Sequence, residues 1–279
     1  MWNAFAAERF SASGASAATI VVMMFAGWLV SRRRRDVSIV DTLWGAAITL
    51  AGSLAYCATA GEGTERRRAL VLSALTLWGV RLSTHLSIRH AAEGPDRRYA
   101  KVGRPSVVFG LQGVLAFVVA LPVTGVMADR SATPVGPLDL TGIGVALLGL
   151  TYETTADLQL QAHRARRKRP DGTVLDTGLW RYSRHPNYFG EALFWIGLTL
   201  PALTVGAYWA VVSPVLMLVL LLRVSGVSLM ERTIVERRPA YRAYAARTSA
   251  FFPWLPGPPP VVTPPPPPVV ENFDDPPET

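Results

Sequence analysis

The chain has 279 residues, half of them apolar and only 17% charged, with a mean hydropathy of +0.26 and a formal net charge of +8. Intrinsic disorder needs low hydrophobicity and high charge, and an average soluble domain carries about 25% charged residues, so neither class fits. The single cysteine, Cys57, excludes a disulfide scaffold and a cysteine-ligated metal cage, and no metal site is expected.

A bilayer-spanning helix takes about 20 predominantly apolar residues. Seven segments meet that standard: Ala15 to Val30, Val37 to Ala58, Ala69 to Ile88, Ser106 to Met127, Leu138 to Gln161, Asn187 to Val205, and Tyr208 to Leu229. The first differs from a secretory signal peptide because its cationic block, Arg32 to Arg35, follows the apolar run, and no small-residue cleavage site precedes the next span. The sequence therefore predicts an all-α polytopic integral membrane protein, with one seven-helix domain over residues 1–256. From Gly257 to Thr279, ten of 23 residues are proline, and the last nine carry four acidic groups and no basic one. This composition predicts a disordered tail, either a dispensable extension or a ligand for a proline-recognition module.

Basic residues collect in cytoplasmic loops. With seven spans, 21 of the 28 Lys and Arg residues fall on one side: four in Arg32 to Arg35, five in Arg89 to Arg104, seven in Arg164 to Arg184 and five in Arg232 to Arg247. That asymmetry predicts an N-terminus outside and a C-terminus in the cytoplasm. The charges flank apolar spans, which points to membrane lipid headgroups or a cytosolic phosphate-bearing ligand and away from nucleic acid.

Ionisable residues inside a membrane are costly and by default mark function. Asp41 lies about one turn into the second span. Arg81 and His85 stand four apart in the third, Glu153 and Asp157 four apart in the fifth, and Asn187 and Glu191 four apart in the sixth, so each pair shares a helix face. All fall in the cytoplasmic half, which predicts one polar cavity open to the cytosol. Each group also has a purely structural reading. Asp41 suits a helix N-terminus, Arg81 suits an interhelical ion pair with Glu153 or Asp157, and the run His163 to Arg169 suits the positive-inside rule.

The segment Gly178 to Gly197 reads GLWRYSRHPNYFGEALFWIG. Arg181, Arg184 and His185 precede Pro186, a residue suited to the first helical position, and the free amides of such a first turn attract anions. Arginines there add bidentate donors for phosphate or carboxylate. With Trp180, Tyr182 and Tyr188 as flat surfaces, the composition suits a nucleotide-type cofactor. No G-x-G-x-x-G or Walker loop is present.

The stretch Glu153 to Trp254 carries Asp157, Arg164, GLWRYSRHPNYFGE and ERTIVERRPAYRAYAARTSAFFPW (Glu231 to Trp254). On these residues, and more weakly on IVDTLWG (Ile39 to Gly45) and LWGVRL (Leu77 to Leu82), the chain resembles the DUF1295 family. That family is similar to the steroid 5α-reductase and very-long-chain enoyl reductase group of membrane enzymes. The resemblance implies seven helices and an NADPH cavity reached from the cytosol. It puts Asp157, Arg164, Asn187 and Glu191 at cofactor-contacting positions, with Arg181, Tyr182, Arg184 and His185 close by. Glu153 shares the face of Asp157 and joins the cofactor-binding set.

The implied reaction is hydride transfer to the β-carbon of a lipid enone or enoyl group. Characterised steroid reductases use a Gln-Glu pair and a tyrosine on the ketone, whereas this chain offers Val40-Asp41, Arg81 and His85. Arg81 or His85 is expected to polarise the carbonyl, with Asp41 orienting it, and the departure leaves a steroid substrate open. Isoprenylcysteine carboxyl and phospholipid methyltransferases, which bind S-adenosylmethionine, resemble the chain in Arg184-His185-Pro186-Asn187-Tyr188, Glu231-Arg232 and Tyr241 to Tyr244. The Asn187–Glu191 pair and the many arginines favour the reductase. A non-enzymatic lipid-binding or transport protein is the third reading.

Overall fold

The computed structural model describes residues 2–96, 99, 103–165, 173–224 and 240–258, and every regular element among them is helical. The principal helices are α1 (Trp2–Arg34), α2 (Ile39–Ala58), α3 (Glu65–Glu93), α4 (Pro105–Val119), α5 (Leu121–Met127), α6 (Pro137–Ala165), α7 (Pro186–Thr204), α8 (Val212–Val219) and α9 (Ala240–Arg247). The Glu231 to Pro239 part of the closing pattern, the run Arg166 to Arg169 and the proline-rich tail past residue 258 lie outside the described residues.

Residues Ala12–Arg34 of α1, together with α2 and α3, are long and apolar enough to cross a membrane. The expected span Ser106 to Met127 is not one straight helix. It breaks at Ala120 into α4 and α5, bent by 52°, and the pair has the length and apolarity of a fourth crossing. Pro122 in the first turn of α5 supplies the cause, because it lacks an amide hydrogen and its ring obstructs the preceding turn. At 29 and 19 residues, α6 and α7 are long enough as well, but Glu153, Asp157, Asn187 and Glu191 lower their apolarity. The last expected span starts as a 3-10 turn (Tyr208–Val211), continues as α8 and ends in a π-helical turn (Leu220–Val224), beyond which the described residues stop.

The outer surface is strongly apolar, as suits helices able to cross a membrane. Val21, Val22 and Phe25 on α1, Val80 on α3, Leu111 and Val114 on α4 and Leu148 on α6 all point outward and are more than half exposed. Inside, helix approach is set by glycines. Gly142 and Gly149 on α6 meet Gly197 and Gly190 on the antiparallel α7 backbone to backbone. A Cβ placed on Gly149 would stand 2.6 Å from both the Gly190 oxygen and the Phe194 nitrogen. Such small-residue seams let helices associate where no hydrophobic force separates protein from solvent. Gly45 on α2 and Gly79 on α3 form a second seam. The α6–α7 seam brings Glu153 and Asp157 up against Asn187 and Glu191. Trp78 seals the centre, stacked on Phe194 at 5.5 Å and edge-on to Trp195 at 5.0 Å.

Candidate functional site

Three helices build the site. Arg81 on α3 donates through Nη1 to Glu153 Oε1 and through Nη2 to Asp157 Oδ2, both on α6. His85, one turn further along α3, places Nε2 3.6 Å from the same Asp157 oxygen. From α7, Asn187 Nδ2 donates to Asp157 Oδ1 at 3.0 Å. Glu191 accepts two indole hydrogens, from Trp78 Nε1 at 2.8 Å and Trp195 Nε1 at 2.9 Å, and its carboxyl interacts with that of Glu153 across the seam. Six of the residues singled out in the sequence, Arg81, His85, Glu153, Asp157, Asn187 and Glu191, thus form one connected cluster.

The cluster is not closed. Three carboxyl groups face one guanidinium, and Glu153 Oε2 is buried with no hydrogen-bond donor among the described residues. A buried acceptor left this way is expensive and calls for a partner. Beside Arg81 and Asp157, between α3 and α6, lies a cavity of about 480 Å³. Arg81, His85, Asp157 and Gln161 line its polar side, and Leu77, Val80, Ile88 and Leu158 its apolar side. An apolar hollow with a few convergent polar groups is the usual form of a small-molecule site.

Other expected residues stand elsewhere. Asp41, expected to orient the carbonyl-polarising group, lies on α2, outside the three helices that carry the cluster. It accepts a hydrogen bond from the Tyr99 hydroxyl at 2.7 Å. The nearby α1–α2 turn has its own network, in which Asp36 holds Ser38 and His90. Arg164 is half exposed and pairs with Glu93 at 2.8 Å, which ties the ends of α6 and α3 at the rim. Arg181 is exposed.

The arginine and histidine loop is held as a lid on α6 and α7. Gly178, at φ +63°, lets the chain turn against the Gln159 side chain. Trp180 Nε1 donates to the Ala156 carbonyl at 3.0 Å, next to Asp157. The Tyr244 hydroxyl on α9 donates to the Trp180 and Ser183 carbonyls at 2.5 and 3.2 Å, and Ser183 Oγ to the Phe251 carbonyl at 2.8 Å. Burial raises the Tyr244 hydroxyl above the ordinary tyrosine range, so it stays a donor. The Arg184 amide donates to the Ser249 carbonyl, and that of Trp254 to the Tyr182 carbonyl. His185 is buried and stacks on Tyr188 with centroids 5.4 Å apart, at the start of α7. Tyr182, Arg184 and His185 thus belong to a loop fastened to α6 and to the segment after α9, and none of the three lines the cavity.

Three participants escaped the sequence reading. Trp78 and Trp195 hold Glu191, and each had a local signal: Trp78 lies three residues before Arg81, and Trp195 four after Glu191, both helical-neighbour spacings. A buried indole N–H needs an acceptor, and a carboxylate on the same face is the natural one. Tyr244 had no such signal, since its partners lie more than sixty residues away.

A family profile described as "Protein of unknown function (DUF1295)" matches residues 27–248, four-fifths of the chain and all of the cluster. The chain belongs to the DUF1295 family. A protein of Schizosaccharomyces pombe described as uncharacterized is similar to it, 26% identical over an aligned length of 271 positions, with 82% of this chain and 76% of the yeast protein covered. No solved structure matches the chain. The DUF1295 match begins within α1 and ends after α9, so the lid and the cluster belong to the same family unit.

Proposed function

We propose that this DUF1295 protein is a membrane-embedded, NADPH-dependent reductase of a conjugated C=C bond in a lipid enone or enoyl substrate. In this reading seven segments span the bilayer, the N-terminus is outside, and the cluster opens to the cytoplasm, as the distribution of Lys and Arg implies. One observation carries it: the Arg81 guanidinium and the His85 ring face an apolar-walled cavity of about 480 Å³ and are backed by carboxylates.

Arg81, gripped by Glu153 and Asp157, aims fixed N–H donors at a carbonyl oxygen lying in the cavity. Such preorganised donors act most strongly on the charge that develops as the enone becomes an enolate. His85, oriented by Asp157, offers a second N–H on the same helix face. The acyl or ring portion of the substrate lies along Leu77, Val80, Ile88 and Leu158. NADPH, when bound, supplies the hydride taken up at the β-carbon, and a proton at the α-carbon completes the reduction. The donor set fits that cofactor. The Asn187 amide and the unmatched Glu153 Oε2 suit a carboxamide and ribose hydroxyls, and the exposed Arg164 and Arg181 at the rim suit phosphates.

A second reading rests on the charge balance of the cluster. Three carboxyls to one guanidinium suit a cationic cofactor, and S-adenosylmethionine, with its sulfonium, would make the protein a membrane methyltransferase. Thermal unfolding of the full chain in detergent separates the two. Stabilisation by NADPH, with enone-dependent NADPH oxidation, is the expected result. Stabilisation by S-adenosylmethionine and not by NADPH overturns the reductase, and stabilisation by neither leaves the lipid-binding or transport reading.

A further inference from the structure

The bundle has a second hollow, between α1 and α4. It encloses about 470 Å³ and is lined almost wholly by apolar and small residues, among them Ile20, Met24, Trp28, Phe109, Gly113 and Phe117. We propose that it binds one anionic glycerophospholipid, with an acyl chain lying in the groove and the phosphodiester at the arginines beyond its Trp28 end.

Length argues first. The α1 wall runs from Ala17 to Trp28, which at 1.5 Å per residue is about 17 Å, close to half of the roughly 30 Å hydrocarbon core. The groove therefore matches the acyl chains of one leaflet. A helix of a second copy would need a contact face running the whole depth of the bilayer, which this hollow does not give.

Charge argues second. At one end the indole of Trp28 sits where aromatic rings mark the membrane interface, and the Arg32 guanidinium lies over it, 5.3 Å from the ring centroid. Arg33, Arg34 and Arg35 follow, all exposed. On the facing helix Ser106 lines the same end of the groove, and the exposed Arg104 stands two residues before it, at the N-terminus of α4. Helix start and guanidinium together favour an anion there. The other end, at Ala17 and Phe117, carries no charged lining residue. An apolar slot one leaflet deep with positive charge at its mouth is complementary to a lipid whose headgroup is anionic. Binding of this kind is independent of whatever chemistry occurs at Arg81.

The test uses the full chain in nanodiscs of equal phosphatidylglycerol and phosphatidylcholine with identical acyl chains, released into the gas phase for native mass spectrometry. One phosphatidylglycerol retained in preference to phosphatidylcholine is expected. Arg32→Gln with Arg104→Gln, two exposed positions, should cut that preference by about fivefold for each arginine removed. Gly110→Leu projects into open groove, since nothing lies within 4 Å of a Cβ there, and should abolish retention of both lipids without lowering thermal stability. Equal retention of the two lipids by the unaltered protein overturns the proposal, as does a phosphatidylglycerol preference untouched by the double arginine change. A dimer that dissociates on Gly110→Leu, with no lipid retained, would assign the groove to a second copy. If the leucine variant does not fold, the arginine pair still decides.

Discussion

α3 carries two buried arginine centres fourteen positions apart, about 21 Å along its axis, and they are built to opposite plans. Arg67 meets Asp139 with two bonds, Nε to Oδ1 at 2.7 Å and Nη2 to Oδ2 at 3.0 Å, and gives its remaining hydrogens to the Thr133 and Pro134 carbonyls. Asp139 in turn accepts from Thr204 Oγ1 and the Gly136 amide. A second carboxylate, Asp129, stands 3.8 Å from Arg67 Nη1, each Arg67 nitrogen has an acceptor, and the Arg67 and Asp139 side chains are almost fully buried. In the neighbouring Arg68 both terminal nitrogens are engaged, by the carbonyls of Glu62 and Tyr56 and the Thr59 hydroxyl, while its Nε has no acceptor among the described residues. Arg81 instead has three carboxyls around it, an acceptor with no donor among the described residues, and a cavity alongside. An arginine with every nitrogen engaged inside the packing holds helices together. One that borders a cavity is open to something that is not yet part of the protein.

The contrast predicts different damage at the two ends. Arg67→Ala leaves the buried Asp139 charge without its cation and two backbone carbonyls without that donor, and breaking a buried pair in this way costs about 3–5 kcal/mol. Unfolding in detergent should show that loss, while turnover per folded molecule stays at its original level. A drop in turnover of the folded fraction would mean that the two ends are coupled and that the division drawn between them is wrong.

Arg81→Gln should show the reverse emphasis. Its side chain borders the cavity, where water or a ligand can reach the carboxylates, so the stability loss should be smaller than for Arg67→Ala. Enone-dependent NADPH oxidation should fall about 100- to 1000-fold, the range for removing one oxyanion donor. A variant that loses stability but keeps its rate would make Arg81 a second structural lock.

The seam that joins the cluster gives an intermediate effect. At Gly149→Ala the new methyl would meet the Gly190 oxygen and Phe194 nitrogen at 2.6 Å, both backbone, so the helices must part. Overpacking of this kind costs about 1–3 kcal/mol. Because Glu153 and Glu191 face each other across the same seam, stability and cofactor affinity should fall together. Gly144→Ala is the control, since a Cβ there meets nothing within 4 Å.

These residues also mark what the sequence could and could not convey. The cluster was legible because polar groups in apolar spans are rare, and their spacing of four fixes a shared face within each helix. The Arg81–Glu153–Asp157 link needed only a common depth. Asp41 is placed by depth alone, with no partner four residues away, and it is bonded to Tyr99, because depth along α2 does not say which neighbour its face meets. Arg67 and Arg68 read as ordinary loop charges, since nothing local tells a buried arginine from a solvated one. The partners of Arg67, Asp139 and the Thr133 and Pro134 carbonyls, lie some seventy residues downstream, and those of Arg68 lie across the turn before α3. The break at Ala120 was obscured by composition, for the run Ser106 to Met127 is apolar throughout, and only Pro122 within it signals a bend.

The smallest effect belongs to Arg164, and it is the most informative about the rim. Its bridge to Glu93 is about half exposed at both ends, and such pairs contribute less than about 1 kcal/mol and weaken with salt. Arg164→Ala should therefore barely change stability. If the guanidinium also meets a cofactor phosphate, the KM for NADPH should rise several-fold while kcat holds. Glu93→Gln separates the two roles, because both changes delete the bridge but only one deletes the cation. With the glutamate neutralised, Arg164 is released toward the anion and the KM for NADPH should fall or stay level. Equal, small stability losses in both variants with no change in KM would reduce Arg164 to a tie between α3 and α6 and move the phosphate contact to the exposed Arg181.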